Sequence, residues 1–174
     1  STLERYDGAW STLTSPPEGL GLWPGPAWVG DSLFVIQNAK VFEYAISTDT
    51  WTTPVASGVA NTQYSQNAHD DAGRVYAVES DDPHRIVQYD PATGVVSTFD
   101  SGGLGGYVYE PRVAWDSVTS KLYVAPSYES PLLFAFDPAT GGTAPRATVP
   151  NEAGDGDGSG MGDPFCSDRS GHLY

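Results

Sequence analysis

Residues 85–98 read RIVQYDPATGVVST and residues 132–145 read LLFAFDPATGGTAP, so Asp-Pro-Ala-Thr-Gly returns 47 positions after its first appearance. In both copies a short apolar run ends in an aromatic residue, Tyr89 or Phe136, and then meets the pentapeptide. The pentapeptide is a turn: Asp starts it through its side chain, Pro presets φ at the next position, and Gly takes a positive φ near the end. Five residues can recur by chance, so the decision passes to the aromatic residues around them.

Those residues form two interleaved series. GDSLFVI, AGRVYAV, TSKLYVA and SGHLY place Phe34, Tyr76, Tyr123 and Tyr174 at intervals of 42, 47 and 51. LERYDGAW, VFEYAISTDTW, IVQYDPATGVV and LFAFDPATGGT place Tyr6, Tyr44, Tyr89 and Phe136 at intervals of 38, 45 and 47. Within each unit the segments are short, alternate apolar with polar, favour Val, Tyr, Phe and Thr, and are bounded by Gly, Asp, Asn and Pro, which is the pattern of strands joined by tight turns. No stretch reads as a long amphipathic helix. The spacing predicts an all-β chain, a β-propeller of four-stranded antiparallel blades with DPATG between the third and fourth strands.

The expected divisions are an outer half-blade over 1–15, blades over 22–57, 60–100 and 105–150, and an inner half-blade over 158–174. The sum is about four blade-equivalents, three whole and two complementary halves. Three arrangements are open: a self-closed four-bladed monomer, a homodimer forming one eight-bladed ring, or a piece of a larger propeller. The abrupt stop at Tyr174, with no polar tail, favours the second or third.

VFEYAISTDTWTT followed by Pro54, and ERYDGAWSTLTSPP, resemble the kelch repeat, in which an aromatic residue, a turn and a Trp mark the outer hairpin. The resemblance spans nearly the whole chain, but only Trp10 and Trp51 keep the Trp, and the paired glycines after the second strand are absent. DDAGRVYAV and DRSGHLY look more like propellers of the NHL and lactonase type. A ring of four blades would resemble the hemopexin type in number. What this implies is the superfold, and a fold does not by itself give a function.

Composition narrows the partners. Eight Lys and Arg against 22 Asp and Glu give a net charge of −14, which repels a phosphate backbone, so nucleic acid is not expected. With 39% apolar residues, five Trp, ten Tyr and six Phe, the 174 residues have the means to bury a core. The single Cys166 allows no internal disulfide, and at the start of an inner strand it reads as a small core residue. No apolar run approaches the roughly 20 residues of a membrane span. The expected location is extracellular or periplasmic, as a secreted protein whose signal has been removed.

Propeller ligands usually sit on the face built from the loops entering each blade and those joining its second and third strands. The entry loops present Trp23, Tyr64 and Tyr109, three aromatic rings able to form a stacking platform for a sugar, with Asn67 and Arg112 supplying hydrogen bonds. The competing reading packs each ring against a neighbouring blade. In the segment 155–163, DGDGSGMGD, oxygen-bearing side chains fall at Asp155, Asp157, Ser159 and Asp163 with Gly160 at the bend. The pattern resembles the calcium loops of integrin-type propellers, and these residues are the expected Ca2+ ligands, completed by carbonyls and water.

Catalytic signals are thin. His69 and His84 are the weak candidates for a general base, His84 because it lies beside Glu79, Asp81 and Asp82. The expected function is a non-enzymatic, kelch-like binding module recognising a carbohydrate or protein ligand through its loop face, calcium-stabilised and assembling with a second copy or the remainder of a larger propeller. The alternatives are a propeller enzyme (a glycan lyase, hydrolase or lactonase-like protein) and a purely architectural half-propeller.

Overall fold

A computed structural model of the chain describes residues 3–20, 25–58, 61–62, 64–101, 104, 108, 111–125, 132–148, 166–168 and 171–173. Every regular element among these residues is a strand, and the strands form four antiparallel sheets of two to five strands. The first is a hairpin of β1 (Leu3–Tyr6) and β2 (Trp10–Leu13). The next contains β3 (Ala27–Val29), β4 (Ser32–Gln37), β5 (Lys40–Ala45), β6 (Thr50–Trp51) and β7 (Val55–Ala56). Both β6 and β7 pair with β5, the first opposite Tyr44 and Ala45, the second opposite Lys40 and Val41. They are two pieces of one outer strand, broken at residues 52–54 where Pro54 has no N–H to give the ladder.

A third sheet runs in the order β11 (Val95–Phe99), β10 (Ile86–Asp90), β9 (Val75–Val78), β8 (Ala68–His69). The last runs in the order β12 (Arg112–Asp116), β13 (Lys121–Ala125), β14 (Leu132–Asp137), β15 (Gly142–Thr148). Ser167 and Leu173 form a separate antiparallel bridge.

Both DPATG copies join a third strand to a fourth, and their geometry is the same. Gly94 and Gly141 have φ of 70° and 71°, and their N–H groups donate to the Asp90 and Asp137 carbonyls at 2.8 Å. The Asp90 and Asp137 carboxylates accept the N–H of Ala92 and Ala139 at 2.9 Å. A β-carbon on either glycine would sit in a left-handed conformation that L residues rarely adopt.

The sheets pack face to face. In β9 and β10 alternate residues point to opposite neighbours: Val75, Ala77, Val87 and Tyr89 pack with Ala27, Phe34, Ile36 and Val41. Tyr76, Val78 and Ile86 pack with Val113, Leu122, Val124, Phe134 and Phe136. Burial on both faces explains why β9 and β10 read as nearly continuous apolar runs although the strands are antiparallel. No described helix is long and apolar enough to cross a membrane.

Candidate functional site: an axial cleft between innermost strands

The first strands of three successive sheets, β3, β8 and β12, lie beside one another. Gly25 and Gln66 form a parallel bridge, Asn67 N–H donates to the Gly25 carbonyl at 2.8 Å, and Gln66 N–H donates to the Pro111 carbonyl at 3.0 Å. The approach is close enough that a β-carbon on Gly25 would stand 3.2 Å from Gln66 Cα, so this position calls for glycine.

Register then sets two columns. Ala27, Ala68 and Ala114 lie opposite the aromatic anchors Phe34, Tyr76 and Tyr123. One residue on, Trp28, His69 and Trp115 lie opposite the aliphatic residues Leu33, Val75 and Leu122. Ser167, opposite Leu173, occupies the same place in the last inner hairpin, and Cys166 precedes it as the alanines precede theirs. Together these two columns line a cleft of about 190 Å³, with Gln66, Asn67 and Val113 adding to its wall. Cys166 is exposed here and not the small core residue the sequence suggests, because its strand faces the cleft instead of a packed neighbour.

Both indoles are fixed through their only polar atom. Trp28 Nε1 donates to the Gly30 carbonyl at 2.8 Å, and Trp115 Nε1 donates to Asp71 at 3.0 Å while Ser117 Oγ donates to the same carboxylate at 2.6 Å. Trp28 remains 61% exposed. Trp115 stacks on Tyr76, with centroids 6.2 Å apart and planes 6° apart. What these rings offer a ligand is therefore an oriented apolar face, with no indole N–H left to satisfy. His69 Nδ1 contacts the Asp70 carbonyl oxygen at 3.0 Å, which fixes the imidazole beside them.

Beneath this wall lies a buried polar knot. Asp70, 1% exposed, accepts the N–H groups of Ala72 and Arg74, Arg74 Nε at 2.6 Å and the Tyr76 hydroxyl at 2.9 Å. Gln88 Nε2 donates to the same hydroxyl at 2.7 Å. Burial, with the Asp70 carboxylate second, pushes the Tyr76 phenol well above its ordinary range. Asp116 and Asp168 hold the corresponding turns, Asp116 through Val118 N–H and Thr119, Asp168 through His172 N–H and the imidazole. These aspartates recur as D-D-A-G-R, D-S-V-T-S-K and D-R-S-G-H, a signal legible once the turns are aligned.

Of the expected ligand-binding residues, only Tyr64, Asn67 and Arg112 are among the described residues. Asn67 lines the cleft, but it is 4% exposed and its amide is engaged: Oδ1 accepts Ile36 N–H at 2.8 Å, and Nδ2 donates to the Ser65 carbonyl at 3.3 Å. It fastens one sheet to the next. Tyr64 lies half-buried in a turn and Arg112 begins β12, and neither is part of the cleft lining. Trp23, Tyr109 and the calcium candidates Asp155, Asp157, Ser159 and Asp163 lie outside the described residues.

Of the two catalytic candidates, His69 faces the cleft, whereas His84 sits at φ 58° in the turn between β9 and β10. The Glu79 carboxylate beside it in sequence is buried and held by both Nε and Nη2 of Arg85, at 2.8 and 2.9 Å. Among the described residues no group of three or more His, Cys, Asp or Glu side chains is placed to hold a metal. Trp28 and Trp115 were not among the expected residues; aligning the first strand of each unit is what exposes their column.

No protein-family model matches the chain, and no curated protein matches it. Solved structures do. YjhT superposes with a TM-score of 0.62 at 12% identity, over 79% of this chain and 53% of that one. The extracellular domain of the one component system BT4673 from B. thetaiotaomicron superposes at 0.56 and 14% identity, over 94% of this chain and 25% of that one. A structure of the extracellular domain of the hybrid two component system BT4673 gives 0.57 and 15% over 80% and 20%. The chain thus spans about half the length of YjhT and a quarter or less of the sensor domains. At these identities the likeness shows the fold, which is all-β and propeller-like.

Proposed function

We propose that the chain is a non-enzymatic binding module, extracellular, whose axial cleft takes one carbohydrate ring against Trp28 and Trp115. The observation that carries this reading is the pair of indoles held by their own N–H bonds beside His69, Gln66 and Ser167. Apolar ring faces next to a few polar groups suit a sugar, whose C–H face stacks while its hydroxyls find donors and acceptors. The cleft of about 190 Å³ is smaller than the roughly 300–1,000 Å³ of drug-sized pockets, which favours one ring over a protein surface. That two of the similar structures are extracellular domains of signalling systems supports a sensing or binding role outside the cell.

In this reading Trp23, Tyr64, Tyr109 and Arg112 extend the surface from the entry loops, and Ca2+ on Asp155, Asp157, Ser159 and Asp163 orders the acidic loop. The site joins others in a larger ring, completed by a second copy or by the remainder of a longer propeller.

The test is calorimetric titration against a panel of mono- and oligosaccharides. At least one neutral sugar is expected to bind, and Trp28→Ala is expected to weaken it about tenfold, the worth of one stacking contact near 1.4 kcal/mol. Trp28 is the residue to alter because its ring is exposed and its loss leaves the core intact. Binding that is unchanged by Trp28→Ala, or turnover of the sugar that His69→Ala abolishes, overturns the proposal; the second result would establish an enzyme.

A further inference from the structure

The lining of the cleft has a charge character as well as a shape. Among the described residues its polar side chains are Gln66, Asn67, His69, Cys166 and Ser167, and it holds no Lys, Arg, Asp or Glu. The chain carries 22 acidic residues against eight basic ones, so the potential around this cleft is negative.

Carboxylates follow the wall in sequence. Asp70, Asp116 and Asp168 come directly after His69, Trp115 and Ser167. Asp70 is countered by Arg74 Nε at 2.6 Å, and Asp168 contacts His172 Nδ1 at 2.8 Å. Asp116 differs: it is buried, and its donors are Val118 N–H, Thr119 N–H and Thr119 Oγ1, all of them neutral. Asp71 likewise takes Trp115 Nε1 and Ser117 Oγ. A neutral donor satisfies an oxygen without cancelling its charge, and a charge away from water is felt more strongly than one within it.

The indoles add to the same sign. Hydrogen-bonded groups polarise one another, so an indole that gives its N–H to an acceptor gains electron density over its ring. Trp115 gives its N–H to the Asp71 carboxylate and Trp28 to the Gly30 carbonyl, which uses up the positive edge of both rings and leaves their negative faces as what they offer. Such a face attracts a cation within about 6 Å of its centroid, and Trp does so best among the aromatic residues. At His69, Nδ1 lies 3.0 Å from the Asp70 carbonyl, which can only accept, so the neutral imidazole has its own acceptor at Nε2.

We infer that the cleft selects a sugar bearing a protonated amine over the neutral and the acidic sugar of the same ring, an assignment that rests on the sugar-binding reading above and adds the class of sugar. The ammonium lies over Trp28, the indole that is 61% exposed. A uronate meets the same field with the opposite sign and is repelled.

The experiment is calorimetric titration at pH 6 with glucose, glucosamine, N-acetylglucosamine and glucuronate, repeated with the corresponding galactose series. The protonated amino sugar is expected to bind about five- to tenfold more tightly than its neutral parent, the size of a partly desolvated cation–π contact. N-acetylation keeps an N–H but removes the charge and is expected to abolish the gain, while the uronate binds most weakly. Trp28→Leu keeps an apolar side chain and removes the π face, and is expected to bring the amino and neutral sugars within about twofold of each other. The inference is overturned, with the sugar-binding reading left standing, by an amino sugar no tighter than its parent, an N-acetyl sugar equal to it, a uronate that exceeds it, or a preference that survives Trp28→Leu. No binding in either series overturns the inference too, and the reading falls with it only if the wider saccharide panel also fails.

Discussion

Replacing Asp70 by Ala tests whether the knot under the cleft wall holds the second sheet together as its geometry implies. The substitution removes an acceptor of four hydrogen bonds: from Ala72 N–H, Arg74 N–H, Arg74 Nε and the Tyr76 hydroxyl. Ala72 is exposed and the Arg74 side chain is 36% exposed, so these donors regain water and their loss costs little. The Tyr76 hydroxyl is different: Tyr76 is 0% exposed, and Gln88 supplies a donor that does not accept its proton. Orphaning that hydroxyl costs about 1–3 kcal/mol, which is the loss expected for Asp70→Ala. Asp70→Asn keeps the shape and one acceptor and should cost about half as much. In urea unfolding at pH 7 the Asp70→Ala midpoint should fall with the slope unchanged. Tyr76→Phe should be less harmful in the Asp70→Ala background than alone, with a coupling of about 1–2 kcal/mol. A loss below about 1 kcal/mol for Asp70→Ala, or additive single effects, would refute the reasoning.

The Lys121 ammonium, with Ala139 N–H second, holds the Asp137 carboxyl below its usual range, as the Tyr44 hydroxyl and Thr14 N–H do for Asp49. Depressed carboxyls contribute stability that is present above the unfolded pKa near 4 and is lost as pH falls through the folded value, so acid unfolding should steepen below about pH 4 and Asp137→Asn should flatten it. Burial, then Asp49, pushes the Tyr44 phenol up to about 12, so its contribution is intact below the unfolded value near 10 and is lost as pH rises toward 12. Tyrosinate absorbance should show a late-titrating class that shrinks in Tyr44→Phe; all phenols titrating near 10 would contradict this. Phe136→Ala, at 0% exposure and 5.0 Å from the Phe99 ring, should cost about 3–5 kcal/mol by chemical denaturation. If the acidic loop binds calcium, a chelator should lower the melting temperature, calcium but not magnesium should restore it, and Asp157→Asn should abolish the difference; a chelator without effect removes calcium from the proposed function.

The sheets were legible because backbone chemistry and burial repeat together. DPATG reports a turn in both places where it occurs, and Phe34 and Tyr76 recur because each is buried against the next sheet, while Tyr123 holds the same register half-buried. The outer strand split into β6 and β7 was foreshadowed by Pro54, whose missing N–H interrupts any ladder. The cleft was not legible in the same way. Loop aromatics such as Trp23 and Tyr64 stand out in sequence, whereas Trp28 and Trp115 lie within strands and read as core. A shift of one residue decides whether a strand side chain faces the cleft or a neighbouring strand, and only the pairing of Trp28 with Leu33 and Trp115 with Leu122 settles that. Asn67 shows the converse: a polar residue at a loop end suggests ligand binding, but its amide replaces a missing ladder partner for Ile36 N–H.

The two cleft columns differ in what the scaffold asks of them. Ala27, Ala68 and Ala114 stay small where the first strands of adjacent sheets run close, as the contact of Gly25 with Gln66 shows two residues earlier. The next column carries Trp28, His69, Trp115 and Ser167, two indoles, an imidazole and a hydroxyl, although their partners Leu33, Val75, Leu122 and Leu173 are all aliphatic. Packing accounts for Trp115, which stacks on Tyr76 and joins the core, but not for Trp28, which is 61% exposed beside the cleft. The proposed function would give that variety a use, because a sugar ring in the cleft would meet a different neighbour on each side. If the chain binds an asymmetric ligand as proposed, its repeat must break somewhere, and among the described residues the column of Trp28, His69, Trp115 and Ser167 is where the cleft lining breaks it.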